Sequence, residues 1–262
     1  SADKVVFVST WLKNIYVDLG MEDKKTMVIL AGADSKIFNP KNKSVWTHGD
    51  KVKIVTHHWS SHENKGFETY KIINDLTKSR KWKDKLEFSY IGNTNPDYKL
   101  GNTNLIQPLA GEDLANEIKT NHIYVTASIN EPSGNHHIEA AQCGLPILFI
   151  DSGGVPEYCE NYGLSFNNNF EESLEFIMNN YDEFEKKLLE YPFNAQKMCE
   201  EFYNLFKDLL DSGQPLANNH YQLIGKLFIL KNKFSKLFRD TIFSNLKAKI
   251  RTLIKVRFKK WI

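Results

Sequence analysis

The chain has 262 residues, of which 41% are hydrophobic and 25% are charged. This balance is that of a globular protein with a core, and it excludes a globally disordered chain. The three cysteines lack C-x-x-C spacing and indicate neither a disulfide framework nor a zinc site, so we expect a reducing, cytoplasmic compartment. The sequence contains no run of 18 apolar residues and no signal-peptide pattern.

The net charge of +2 conceals an uneven distribution. Twelve of the 34 basic residues but only one of the 32 acidic residues lie in 220–262, so this stretch carries +11 and residues 1–219 carry −9. Its apolar residues recur at steps of three and four, which predicts a basic amphipathic helical tail over 213–262. An anionic membrane surface is the partner that this pattern favours, and a packing or coiled-coil helix is the alternative. Nucleic acid is not the expected partner, because binding to it would not require the regularly spaced apolar residues of this predicted helix.

Short β-rich runs alternate with helical patterns along residues 1–219, which predicts an α/β protein with a parallel sheet and flanking helices. Because the first run begins almost at once, we expect the natural protein to start earlier. The predicted strands are 5–9, 26–30, 51–57, 86–91, 122–126 and 145–150, and the predicted helices include 65–79, 111–121, 170–191 and 193–211. Residues 31–50 are rich in Gly, Asn and Pro and predict a linker.

One stretch, EPSGNHHIEAAQCGLP over 131–146, predicts a ligand site. It runs from a polar, Gly-containing turn into a helix, where free N–H groups and the helix dipole favour an anion. Glu131 and Glu139 flank the turn, and carboxylates accept hydrogen bonds from hydroxyls. The pattern therefore favours a ligand with both phosphate and hydroxyl groups, and the alternative is an exposed helix start whose dipole Glu139 stabilises.

Four segments in this order resemble one protein family. GADSKIFNP is similar to its interdomain segment, NKGFETY to the start of its donor domain, Glu131-x7-Glu139 to its E-x7-E motif, and SGGVPEYCENYGLSF to the run that follows. The chain thus resembles the retaining glycosyltransferases of family four type, also called glycosyl transferases group 1, over about residues 2–166 and more loosely to 210. The resemblance implies a GT-B fold with a Rossmann-like donor domain.

The resemblance also implies a division of the chain. Residues 1–30 would be the last β-α-β piece of the acceptor domain, 31–50 the interdomain linker and 51–192 the nucleotide-sugar-binding domain. Residues 193–212 would form the helix that crosses back to the acceptor domain, most of which would be absent.

Site residues follow from the same resemblance. Lys65 would stabilise charge on the leaving diphosphate, Glu131 would face the transferred sugar and Glu139 would bind the ribose. The other donor-binding residues would be Gly66, Ile106, Gly134, Asn135, His136, His137, Gly153 and Gly154. The family's Arg before Lys65 is missing, so that His58 or His62 takes its place or Lys65 acts with backbone donors alone. Glu157 either orients the site or is an ordinary helix residue.

The histidines do not suggest a metal. His57 and His58 should face opposite sides of a strand, His136 and His137 should diverge on a helix, and no D-x-D pair is present. We therefore expect a metal-free donor site, no cofactor besides the nucleoside diphosphate sugar, and a buried, unreactive Cys143.

The predicted function is sugar transfer from a nucleoside diphosphate donor to a hydroxyl acceptor, with retention, at the cytoplasmic face of a membrane. A lipid-linked acceptor or a cell-surface polysaccharide would suit the basic tail. The alternatives are a nucleotide-sugar-binding module that no longer catalyses and, less favoured, an epimerase of the same fold.

Overall fold

The computed structural model describes residues 2–167 and 169–212, so the predicted tail at 213–262 lies outside the described residues. Residues Ser1–Phe206 form one compact unit, and the second unit is Lys207–Ile262. Among the described residues, no helix has both the length and the apolar character needed to cross a membrane.

The first unit begins with a small β-α-β piece. Strands β1 (Val5–Phe7) and β2 (Thr26–Val28) pair in parallel, with helix α1 (Thr10–Asp18) between them. Ser9 caps α1, since its hydroxyl accepts a hydrogen bond from the N–H of Leu12 at 3.2 Å. These strands form a sheet of their own, and the assignment of 1–30 to an acceptor domain stays a prediction.

The remaining strands form a six-stranded parallel sheet. They are β3 (Val52–His58), β4 (Leu86–Gly92), β5 (Asn104–Ile106), β6 (Ile123–Thr126), β7 (Ile147–Phe149) and β8 (Gly163–Ser165). Their order in the sheet is β5-β4-β3-β6-β7-β8. The direction of winding therefore reverses between β3 and β6, and the crevice at the carboxyl ends of these two strands is where doubly wound sheets bind ligands.

Helices cover both faces of this sheet, which confirms the predicted α/β architecture. They are α2 (Phe67–Leu76), α3 (Gly111–Lys119), α4 (Asn135–Gln142), α5 (Val155–Cys159), α6 (Phe170–Asn179) and α7 (Tyr181–Leu188). Helix α8 (Ala195–Asp211) follows them in the chain. Ile54 of β3 packs in one core with Tyr70 of α2, whereas the next residue, Val55, packs in the other with Ile118 of α3 and Ile138 of α4. Burial on both faces explains why the central strands are nearly continuous apolar runs.

Two parts of the element prediction were incomplete. The edge strands β5 and β8 were not predicted, and the single helix predicted over 170–191 is wrong, because α6 and α7 are separate helices. Asn180 divides them with a non-helical backbone, φ −120° and ψ 25°. Its side-chain amide donates to the carbonyl of Phe176 at 2.8 Å and so satisfies a group at the end of α6.

Candidate functional site

A cleft of about 390 Å³ lies at the carboxyl edge of the six-stranded sheet, at the point where the winding reverses. The carboxyl end of β3 and the N-termini of α3 and α4 contribute to it. The lining residues are Phe38, His57, His58, Trp59, Ser60, Lys65, Ala110, Gly111, Leu114, Glu131, Gly134, Asn135, His136 and Glu139. Seven of the predicted site residues are therefore brought together.

Lys65 and Glu131 form an ion pair in this cleft through Nζ and Oε2. Lys65 is the last residue of a 3₁₀ turn, and Gly66 follows it in the left-handed region with φ 91°. A Cβ at Gly66 would lie 2.4 Å from the Cβ of Ala127, so only glycine lets this turn approach the segment that follows β6. Gly66 thus serves the site by placing Lys65, and it does not itself line the cleft.

Glu139 is held by a residue that the sequence analysis did not select. Its Oε2 lies 2.9 Å from Nε2 of His57, the penultimate residue of β3. Trp59, Ser60 and Gly111 were also missed. Three of these four residues follow or end a predicted strand, and the rule that ligands bind at the carboxyl ends of parallel strands would have found them.

His57 and His58 face opposite sides of β3, as predicted. Nε2 of His58 lies 2.7 Å from the hydroxyl of Tyr70, on the α2 side of the sheet. Burial, together with the neighbouring charge of Lys65, holds the pKa of His58 well below its usual range. The resulting neutral imidazole would not supply the positive charge of the family's Arg. His62 lies outside the lining, where its Nδ1 accepts from the N–H of Asn64.

The prediction that His136 and His137 diverge is wrong. Their ring centroids lie 4.8 Å apart in an edge-to-face contact, and both rings pack beneath Gly134. A Cβ at Gly134 would lie 2.7 Å from Cε1 of His136 and 3.0 Å from Cε1 of His137, which explains why glycine stands there. His136 reaches the cleft, while His137 is completely buried and burial lowers its pKa to about 3.

The N-terminus of α4 contributes backbone donors to the same cleft. Gly134 precedes the helix with φ 119°, and Asn135 and His136 form its first turn. The first N–H groups of a helix have no partner within the helix, and its dipole is positive at that end. Together with the ammonium of Lys65, these groups can bind a phosphate, while the carboxylates of Glu131 and Glu139 can accept from hydroxyls.

Several predicted residues lie behind the cleft. A Cβ at Gly153 would lie 2.3 Å from the carbonyl oxygen of Glu131, and one at Gly154 the same distance from that of Pro132, so the two glycines let these loops pack together. Ile106 ends β5 and packs against the core. Their roles in donor binding stay predictions.

Glu157 and Cys143 serve the packing. The carboxylate of Glu157 accepts from the N–H groups of Thr10 and Trp11 at 2.8 and 2.9 Å, so it caps α1 and does not reach the cleft. Cys143 is buried, as predicted, and burial raises the pKa of its thiol to about 12. Within residues 2–167 and 169–212, no three His, Cys, Asp or Glu side chains are grouped to hold a metal ion.

Solved structures of similar architecture define the fold. Sucrose-phosphate synthase from Thermosynechococcus elongatus is 17% identical with a TM-score of 0.64, over 81% of this chain and 60% of that protein. A glycosyltransferase from Rickettsia africae is 17% identical with a TM-score of 0.62, over 79% and 64%. Anabaena HepE, in complex with UDP and glucose, is 15% identical with a TM-score of 0.61, over 79% and 63%. At such identities the likeness shows the fold, which is GT-B.

A family model matches part of the chain. Residues 96–194 match the family described as glycosyl transferases group 1. The family predicted from the four segments is thereby confirmed. The matched segment contains Glu131 and Glu139, whereas Lys65 precedes it. The chain spans 60 to 64% of the length of the three solved proteins, and no curated protein sequence matches it.

Proposed function

We propose that this protein is a retaining glycosyltransferase that moves a sugar from a nucleoside diphosphate donor to a hydroxyl acceptor. One observation carries the proposal: Lys65, Glu131, Glu139 and the N-terminus of α4 line a single cleft at the reversal point of the sheet. The family match supports the reaction class. The solved HepE structures, which hold UDP with glucose in one case and UDP-glucose in another, support a nucleotide-sugar donor.

The proposed roles follow the charges. The diphosphate would accept hydrogen bonds from the first amides of α4, and Lys65 would stabilise the negative charge that grows as the diphosphate leaves. Glu131 would accept from hydroxyls of the transferred sugar, and Glu139 from those of the ribose. Because these groups already supply the positive potential, we propose that donor binding needs no metal ion.

Two single variants test the roles of the carboxylates by calorimetry. Glu139→Ala should weaken both a nucleoside diphosphate and its sugar conjugate, whereas Glu131→Ala should weaken only the sugar conjugate. Loss of a hydrogen bond to a charged group costs about 1.5–3 kcal/mol, so a change of about tenfold or more is expected.

The probes are UDP, GDP, ADP, CDP and dTDP with the corresponding sugar conjugates, each with and without EDTA. Equal losses for both ligand types in both variants would contradict the assignment. Binding that disappears with EDTA and returns with Mg²⁺ would contradict the metal-free site.

A non-catalytic donor-binding module is the second candidate, and the missing positive charge before Lys65 favours it. No Arg occurs between residues 51 and 65, and His58 is neutral. Product formation with the full-length protein distinguishes the two functions, because a module of this kind would bind the donor and release no glycosylated product.

We further propose that 213–262 lies on an anionic membrane surface and brings the donor site to a lipid-linked or polysaccharide acceptor at the cytoplasmic face. The net charge of +11 over 220–262 supports this, since each Lys or Arg near an anionic bilayer contributes about 1 kcal/mol. Co-sedimentation of residues 1–262 with anionic liposomes at low salt, but not of residues 1–219, is the expected result. Equal recovery of both in the supernatant would indicate a packing or partner helix.

A further inference from the structure

We propose that His57 is a positioning residue that holds the Glu139 carboxylate in the orientation that binds the ribose hydroxyls. The inference rests on the proposed function, because it concerns how the same cleft recognises its donor. His57 lies near the end of β3 and Glu139 on α4, and the two side chains meet at 2.9 Å at the edge of the cleft.

The hydrogen bonds around His57 fix the orientation of its ring. The backbone N–H of His57 donates to the hydroxyl of Tyr124 at 3.1 Å, and that hydroxyl lies 3.2 Å from Nδ1 of the same ring. The hydroxyl also lies 3.4 Å from the carbonyl oxygen of His57. A carboxylate can only accept, so the 2.9 Å contact with Oε2 of Glu139 requires a proton on Nε2 of His57. Nε2 therefore carries the proton and donates it to Glu139.

Packing leaves this imidazole little freedom to turn. Its side chain is 7% exposed, and that of Glu139 is 19% exposed. The ring meets Tyr124 edge-to-face at a centroid distance of 5.5 Å and His136 at 6.2 Å. A donor fixed by two aromatic contacts and by a hydroxyl on the neighbouring strand can fix its acceptor in turn.

The hydrogen bond from His57 makes the two oxygens of the Glu139 carboxylate unequal. Oε2 of Glu139 accepts from His57, while Oε1 accepts no hydrogen bond within the described part of the chain. A carboxylate with one oxygen occupied presents the other in a single direction and loses less rotational freedom on binding. His57 thus prepares Glu139 for a ligand that His57 itself need not touch.

The experiment is a double-mutant cycle read by calorimetry, using whichever of UDP, GDP, ADP, CDP and dTDP binds the unsubstituted protein most tightly. His57→Leu should raise the Kd about fivefold or more in the unsubstituted background, which is the size of coupling typical of residues in contact. In the Glu139→Ala background the same substitution should leave the Kd unchanged. His57→Gln, whose amide can donate from the place of Nε2, should largely restore binding.

Tyr124→Phe tests the same contacts, from Tyr124 through His57 to Glu139, if His57→Leu fails to fold. It removes the hydroxyl that contacts the backbone N–H and Nδ1 of His57, and its effect on the Kd should also vanish when Glu139 is alanine. His122→Leu is the matched control, since both histidines are 5% exposed and His122 precedes β6 at the opposite edge of the sheet. It should lower the melting temperature and leave the Kd unchanged.

The outcomes separate the inference from the proposed function. If none of the five diphosphates binds the unsubstituted protein, the proposed function fails and the inference fails with it. If one binds and Glu139→Ala weakens it, but His57→Leu and Tyr124→Phe change nothing or act equally in both backgrounds, His57 has no positioning role and the proposed function stands.

Discussion

Acidification is expected to destabilise this protein at a pH where its carboxylates are still ionised. Burial lowers the pKa of His137 to about 3, and burial with the charges of Lys53 and Lys43 lowers that of His122 to about 4. The ordinary pKa of a histidine is 6.5, so in the unfolded chain both residues take up a proton as the pH falls below 6.5. In the folded protein both stay neutral at these pH values. The contribution of these two residues to the free energy of unfolding is therefore complete above about pH 6.5 and is lost as the pH falls below it.

The size of the effect follows from the two pKa values. Between about pH 7.5 and about pH 5.5, each residue lowers the free energy of unfolding by about 1.4 kcal/mol, and the two together by about 3 kcal/mol. The pKa values of His58 and His136 are shifted in the same direction, mainly by burial, and add to the loss. Carboxyl groups with ordinary values near 4 contribute little in this range.

Urea-induced unfolding at the two pH values measures the difference, with the buried Trp46 and Trp82 as fluorescent reporters. His137→Leu should reduce the pH dependence by about 1.4 kcal/mol, because it removes one titrating group. His48→Gln, at an exposed histidine, should leave it as in the unsubstituted protein. Equal stability at both pH values, or an unchanged pH dependence in His137→Leu, would refute the reasoning.

Three further outcomes are expected. Gly66→Ala should lower both the melting temperature and the affinity for a nucleoside diphosphate, since its Cβ would lie 2.4 Å from that of Ala127. Gly49→Ala, with a similar φ of 101° and nothing within 4 Å, should cost only about 1–3 kcal/mol of backbone strain. Glu157→Ala should weaken the cap of α1 by about 1 kcal/mol, visible as faster hydrogen exchange of its first amides without a change in donor affinity. Lys65→Gln should lower the rate of transfer about a hundredfold or more if the lysine stabilises the leaving group, and an unchanged rate would exclude that role.

The central strands could be predicted from the sequence because their signal is local. Residues of β3 are buried on both faces of the sheet, so the strand is a continuous β-branched and aromatic run that needs no knowledge of its neighbours. The edge strands β5 and β8 have three residues each and are only partly buried, and they are strands because one neighbour pairs with them. The break between α6 and α7 at Asn180 could not be predicted from the sequence either, since it depends on which carbonyl the Asn180 side chain reaches.

For the candidate site, too, one part could be predicted from the sequence and another part was decided by the fold. Sequence motifs, together with the family they resemble, selected Lys65, Glu131 and Glu139 as groups suited to a diphosphate and to hydroxyls, because side-chain chemistry is a property of single residues. Their pairing was decided by the fold: Lys65 meets a carboxylate 66 positions away, and His57 meets Glu139 across 82 positions. A hydrogen bond requires a separation of about 3 Å, and local sequence carries no information on distances between remote residues. The strand order β4-β3-β6, which sets β3 at the reversal point beside α4, supplies that distance.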